Sequence, residues 1–145
     1  MKGLREVAVY LGLDLGTDGP SWVALCQDTN DVLGVGEGPK FPKDVCEHDP
    51  VIWGESVVAA MQKLHKNLAA TGLKIGEVGR MVLTGMMHGE VLIGPDGKAL
   101  GSARLWNHPG NVAEGLELTK LFGVKVPTRM TAARFLWTAR NQTEK

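Results

Sequence analysis

The chain has 145 residues, 43% of them hydrophobic, and its 16 basic residues are balanced by 16 acidic ones. Length and apolar content suit one globular domain, while the balanced, scattered charge gives no field to draw nucleic acid or an anionic membrane. No apolar run approaches the roughly 18 residues of a membrane span, and Met1–Glu6 lacks the apolar segment of a secretory signal, so the expected setting is the cytoplasm. Cys26 and Cys46 have no metal-type spacing and are expected to be reduced thiols without chemistry. Homodimerisation stays open.

The first predicted element is a strand entering the segment Tyr10–Gly19, Tyr-Leu-Gly-Leu-Asp-Leu-Gly-Thr-Asp-Gly. Val7, Val9, Leu11, Leu13 and Leu15 line one face, and Ala8, Tyr10 and Gly12 keep the other largely apolar, as in a strand covered on both sides. Asp14 interrupts this pattern. A carboxylate is costly to bury alone, so Asp14 either sits at a solvated strand end or meets a cation, a hydroxyl or backbone donors; a turn-capping role is the structural alternative. Gly16 and Gly19 allow a tight turn whose N–H groups face an anion, and Thr17 adds a hydroxyl donor. The combination favours a phosphate and Mg²⁺ site.

Ser21–Gln27 reads as a second strand and Val32–Glu37 as a third, joined by the turn-forming Asp28–Asp31. Gly34, Gly36 and Gly38 superficially match a dinucleotide fingerprint, but no helix start follows and Pro39 and Pro42 indicate loop. Asp49 before Pro50 begins a helix expected to reach about Thr71, with Trp53, Val57, Ala60, Met61, Leu64 and Leu68 on one stripe and Gly72 at its end. Met81-Val82-Leu83 follows as a short, apolar, buried parallel strand returning from the crossover. The predicted order is therefore βββαβ.

That strand leads into Met86-Met87-His88-Gly89, at the end of a parallel strand where ligands gather in open α/β sheets. The His88 imidazole can donate to or accept from a hydroxyl, though a lone histidine in this position is more often structural. Gly94-Pro95-Asp96-Gly97 predicts a hairpin turn. Arg104–Trp106 predicts a short strand, Asn111 with Glu114 a capping box opening a helix to about Gly123, and Met130–Arg140 a last helix. Trp22, Trp53 and Trp137 are expected in packing roles.

Asp14-Leu15-Gly16-Thr17 followed by a glycine and a second strand resembles the first phosphate motif of sugar kinases of the FGGY family. Three further segments match in order: Glu47-His48-Asp49-Pro50 with Trp53, then Thr84–Gly89, then Leu105-Trp106-Asn107. Within the family the set is most similar to the xylulose kinases, and it covers roughly Val7 to Arg140. The resemblance implies an α/β architecture of the actin-like ATPase, ribonuclease-H-like type, with 1–145 as the N-terminal portion of the first of two lobes and the second lobe absent. It implies ATP and Mg²⁺ as cofactors and a small sugar as partner, with transfer of the γ-phosphate to a ketopentose hydroxyl by the complete enzyme. Asp14 would position Mg²⁺ through water, Gly16, Thr17, Asp18 and Gly19 would hold phosphate, and Met87, His88, Gly89, Trp106 and Asn107 would contact the sugar. The base that accepts the hydroxyl proton is expected beyond Lys145, so the isolated chain is expected to be inactive.

Some positions depart from the pattern. Ser21 stands where many members carry Lys or Arg, so a positive charge near the phosphates is expected to be missing. Asp18 and Pro20 make the turn less suited to anions, by repulsion and by loss of an N–H. His108 replaces the usual aspartate after Trp106-Asn107, and Met86 replaces a frequent glutamine. These departures keep two alternatives open: a kinase for another sugar or polyol such as ribulose, and a non-catalytic sugar-binding or interaction module.

Overall fold

The computed structural model describes residues 3–142. In chain order its elements are β1 (Arg5–Gly16), β2 (Gly19–Cys26), β3 (Val32–Glu37), β4 (Glu47–His48), α1 (Val51–Ala70), β5 (Leu73–Gly85), β6 (Ala103–Arg104), α2 (Val112–Phe122) and α3 (Thr131–Asn141). They divide into two compact units: one holds the residues up to Lys43 with Val51–Met86, the other Asp44–Pro50 with Met87 onwards.

The first unit is a four-stranded sheet in the order β3-β2-β1-β5. β1, β2 and β3 form the predicted antiparallel meander, and β5 runs parallel to β1. The alternation of β1 turns Val9 and Leu11 onto one face, where Trp22 and Ala24 of β2 join them and α1 covers all four with Ala60, Leu64 and Leu68. Full burial of a leucine is worth about 1.5–3 kcal/mol, and Leu64 and Leu68 are both fully buried in this contact. Trp22 Nε1 also donates to Val57 O across 3.2 Å. Gly34 and Gly36 are packing positions: a Cβ at Gly36 would lie 2.1 Å from Ala60 O and 2.4 Å from Leu64 N. The helix therefore rests on bare β3 backbone. α1 stops at Ala70, and Gly72 turns the chain at φ 78°.

Two expectations change in this unit. The returning strand is longer than Met81–Leu83 and is exposed, with Met81, Val82 and Leu83 at 52%, 68% and 65%. It forms an edge of the sheet, and its register against β1 shifts twice, between Val7 and Ala8 and between Val9 and Tyr10. Within this unit β1 is also covered on one face only. Its second face, carrying Tyr10 beside Leu25 and Gly12 beside Val23, has no helix of this unit over it, because α1 packs on the opposite side.

The second unit joins β4 to β6 antiparallel, with Glu47 opposite Arg104 and His48 opposite Ala103. Glu90 pairs with the other edge of Arg104, and Ile93 with Ala99 around the predicted Gly94–Gly97 turn. The strand expected over Arg104–Trp106 is the shorter Ala103–Arg104, since Trp106 lies in a turn. α2 and α3 pack together, and the Arg140 guanidinium forks onto the Glu117 carboxylate at 2.7 and 2.9 Å. Asn111 stands at the α2 N-cap position, but its side chain makes no cap bond. It is fully buried instead, donating to Thr128 O and accepting from Arg104 Nη2, so the capping-box expectation is corrected. Among the described residues no helix is long and apolar enough to cross a membrane.

Candidate functional site

In the sheet unit, β1 and β2 meet in a turn so tight that Gly16 pairs with Gly19, Leu15 with Pro20 and Asp14 with Ser21. Thr17 and Asp18 occupy the exposed tip. Asp14 is exposed at the strand end, the solvated placement among those expected. A Cβ at Gly16 would lie 3.2 Å from Asp14 Oδ2, and one at Gly19 would lie 2.6 Å from Pro39 O, with φ 131° adding strain. Both glycines thus leave room that any side chain would take. The C-terminal end of β5 comes beside the same turn: Thr84 pairs with Asp14, Gly85 with Leu15, and Met86 N donates to Leu15 O at 3.0 Å.

A cleft of about 370 Å³ opens here, lined by Asp14, Gly16 to Ser21, Glu37 and Lys40. Nothing in the local sequence points to Lys40. The segment carrying it is fastened behind the turn, with Gly38 N donating to Pro20 O at 2.8 Å and Phe41 N to Asp18 O at 3.1 Å, and with the Phe41 side chain buried. The expected absence of positive charge near the turn is therefore corrected: it arrives from a later loop. Among the described residues no cluster of three or more His, Cys, Asp or Glu is arranged to hold a metal ion. A cation at Asp14 would thus take most of its oxygens from water and a bound ligand, which suits Mg²⁺ carried on phosphate.

In the second unit, Glu90 and Arg104 exchange both backbone hydrogen bonds at 2.9 Å. Antiparallel pairing makes Met87–Gly89 and Leu105–Asn107 leave from the same end of that pair. Met87 is 74% exposed, Trp106 is 45% exposed, and a Cβ at Gly89 would approach Arg104 O at 4.0 Å. His88 is half-buried and holds φ 60°, a left-handed backbone that L residues adopt at a cost. Asn107 uses its amide to donate to Val45 O at 2.9 Å, tying down the segment before β4.

Behind these loops is a polar core that sequence reasoning missed. Arg104 Nη1 meets Glu90 Oε2 at 3.1 Å, Thr138 Oγ1 donates to Glu90 Oε1 at 2.6 Å, and the guanidinium lies 4.0 Å from the Trp137 ring centroid. Arg134 is 1% exposed and donates from Nη1 to Arg104 O; burial and Arg104 lower its pKa, with Glu90 opposing. His108 Nδ1 faces two donors, Gly110 N at 3.1 Å and Arg104 Nη2 at 3.4 Å, so the proton belongs on Nε2, which reaches Glu47 Oε1 at 3.2 Å. Burial first and then Arg104 lower the His108 pKa, outweighing Glu47. No local signal marks this cluster, because its members come from separate stretches of chain.

No protein-family model matches the chain. A xylulose kinase of Staphylococcus epidermidis is 26% identical over 144 residues, which is 94% of this chain and 28% of that protein. Among solved structures, a xylulose kinase from Brucella ovis is 27% identical with a TM-score of 0.73, covering 94% of this chain and 30% of that one. Plasmodium falciparum glycerol kinase, solved with ADP, has the same fold at a TM-score of 0.69 and 16% identity, covering 96% and 30%. This chain spans just over a quarter of the curated relatives it matches.

The resemblance to xylulose kinases and the fold read from the sequence are both borne out: a mixed sheet with helices, corresponding to part of the actin-like lobe of these sugar kinases.

Proposed function

We propose that this chain carries the phosphate-binding turn and the acceptor-facing segments of an ATP-dependent sugar kinase whose substrate is a ketopentose resembling D-xylulose. The observation that carries the reading is the glycine-walled cleft at the end of β1, with Asp14 and Lys40 on its rim, in a chain similar to xylulose kinases over 94% of its length. Phosphoryl transfer is achieved mainly by positioning and by neutralising charge on the transferred group. Asp14 would orient a hydrated Mg²⁺, and the N–H groups of Gly16 to Gly19 with the Thr17 hydroxyl would hold phosphate oxygens. Bound Mg·ATP supplies the phosphoryl group.

On the acceptor side, His88 would exchange a hydrogen bond with a sugar hydroxyl, Gly89 would let the backbone approach, and Met87 and Trp106 would offer apolar cover. Asn107 would act mainly by holding the Val45 segment. The test is calorimetric titration of the chain with Mg·ATP, and saturation-transfer NMR with D-xylulose, each repeated on Asp14→Asn and His88→Ala. Removing a charge-assisted interaction should weaken binding by about tenfold or more, and a loss of that size for Mg·ATP on Asp14→Asn supports the reading. No binding of either ligand by the wild type sinks it.

A second acceptor is favoured by one observation. The residue directly after Asn107 is His108, an imidazole rather than a carboxylate, and both of its ring nitrogens are already engaged, with Glu47 and with Gly110, so this position gives a sugar hydroxyl no acceptor of the carboxylate kind. Stronger saturation transfer from ribulose or a polyol than from xylulose would select that alternative.

A further inference from the structure

We infer that Lys40 is the cation that holds the polyphosphate in this cleft, replacing the positive charge that the β1–β2 turn itself lacks; the inference rests on the nucleotide reading above. The cleft presents three carboxylates, Asp14, Asp18 and Glu37, against a single basic side chain, Lys40. A di- or triphosphate brings further negative charge, and one Mg²⁺ does not offset all of it. Without another cation, the acidic rim would repel the ligand that the glycine-walled turn is shaped to take.

Lys40 is placed for this role by backbone rather than by chance of side-chain reach. Gly38 and Phe41, two residues before it and one after, are fixed to Pro20 and Asp18 by hydrogen bonds of 2.8 and 3.1 Å. The Phe41 ring is buried at 5% exposure, and the absent side chain of Gly19 lets the Lys40 Cα approach to 3.4 Å of the Gly19 Cβ position. The ammonium has no ion-pair partner among the described residues, although Glu37 and Asp18 border the same cleft. A lysine whose backbone is pinned and whose charge is uncommitted suits an anion that comes and goes. Its flexible stem can follow phosphate oxygens as a point charge.

The test uses the chain as it stands. Mg·ATP, ADP, inorganic triphosphate and adenosine are titrated by calorimetry into wild type, Lys40→Gln, Lys40→Arg and Lys40→Glu, with Tm recorded for each. Lys40→Gln is expected to weaken Mg·ATP and triphosphate by about tenfold or more, Lys40→Glu further, and Lys40→Arg by much less, with Tm unchanged because the side chain is exposed. The loss should shrink as salt rises from low to about 0.5 M, because a solvent-exposed charge is screened. If wild type binds Mg·ATP and Lys40→Gln binds it equally, the role of Lys40 is overturned while the nucleotide reading stands. If wild type binds neither Mg·ATP nor triphosphate, both are overturned.

Discussion

Replacing Glu90 with leucine removes the anion from a core that also holds Arg104 and Arg134. The Glu90 carboxylate is engaged at both oxygens, by Arg104 Nη1 at 3.1 Å and Thr138 Oγ1 at 2.6 Å, and the Glu90 and Arg104 side chains are only 15% and 8% exposed. With leucine there, Arg104 keeps Asn111 Oδ1 and the Trp137 face, but its charge has no opposite partner in the pair, and its Nε already lacks a hydrogen-bond partner among the described residues. Breaking one side of a buried ion pair costs about 3–5 kcal/mol. Against a total of roughly 5–15 kcal/mol, that is a large share. Urea denaturation followed by tryptophan emission should show it, together with faster amide exchange at Glu90 and Arg104, whose backbone bonds hold the loops to His88 and Trp106. The double variant Glu90→Leu/Arg104→Leu should recover most of the loss, since a buried pair is often replaceable by apolar side chains of similar size. A cost below about 1 kcal/mol for the single variant, the range of an exposed pair, would refute the argument that this pair is a buried, mutually dependent one.

Three further outcomes are expected. Because the folded His108 pKa lies below the ordinary 6.5, the unfolded chain takes up its proton first; the stability contributed by neutral His108 is complete above 6.5 and is lost as pH falls towards the lower folded value. Tm measured from pH 8 to pH 5 should show that slope, and His108→Gln should flatten it. Gly36→Ala drives a methyl into Ala60 O and Leu64 N and should destabilise by about 1–3 kcal/mol or more; a neutral result would mean that α1 can lift freely from β3. His88→Gly should raise stability by about 1 kcal/mol, through relief of the left-handed backbone, while reducing any sugar saturation transfer; a fall in Tm would point to a packing role for the imidazole.

The parts of the fold legible in the sequence are those written in short periods. Val9 and Leu11 alternate, and Ala60, Leu64 and Leu68 repeat at helical spacing, so β1, the meander and α1 can be placed without coordinates. β5 is only half legible because Gly76, Glu77, Gly79 and Arg80 dilute its apolar pattern. Glu77 and Arg80 are tolerated because the strand lies at an edge and leaves them exposed, whereas Gly79 sits where a Cβ would meet the Gln27 amide at 2.7 Å. In the candidate site, Asp14 and the glycines announce themselves through a local turn, whereas Lys40 belongs to the cleft only because β2 and β3 carry its loop back behind Gly19. Glu90 with Arg104 and Arg134 is illegible for the same reason. Charges that complement one another across a fold leave no local trace, and Asn111 reads as a cap because its buried partners, Thr128 and Arg104, are distant in sequence.

The contrast between the hairpin turn and the β1–β5 pairing has a consequence for the order in which the cleft is assembled. Gly16 to Gly19 closes a β-hairpin, an event of about 1–10 μs in isolated chains, and needs nothing from the rest of the molecule. The bond from Met86 N to Leu15 O closes a loop of roughly half the chain, so its entropy must be met after α1 has formed and docked on Gly34 and Gly36. The phosphate turn should therefore be shaped early and acquire its β5 neighbour late. Pulsed hydrogen exchange during refolding should protect the amides of the β1–β2 ladder before those of Met81–Met86, and simultaneous protection of both would show that the sheet forms in one step.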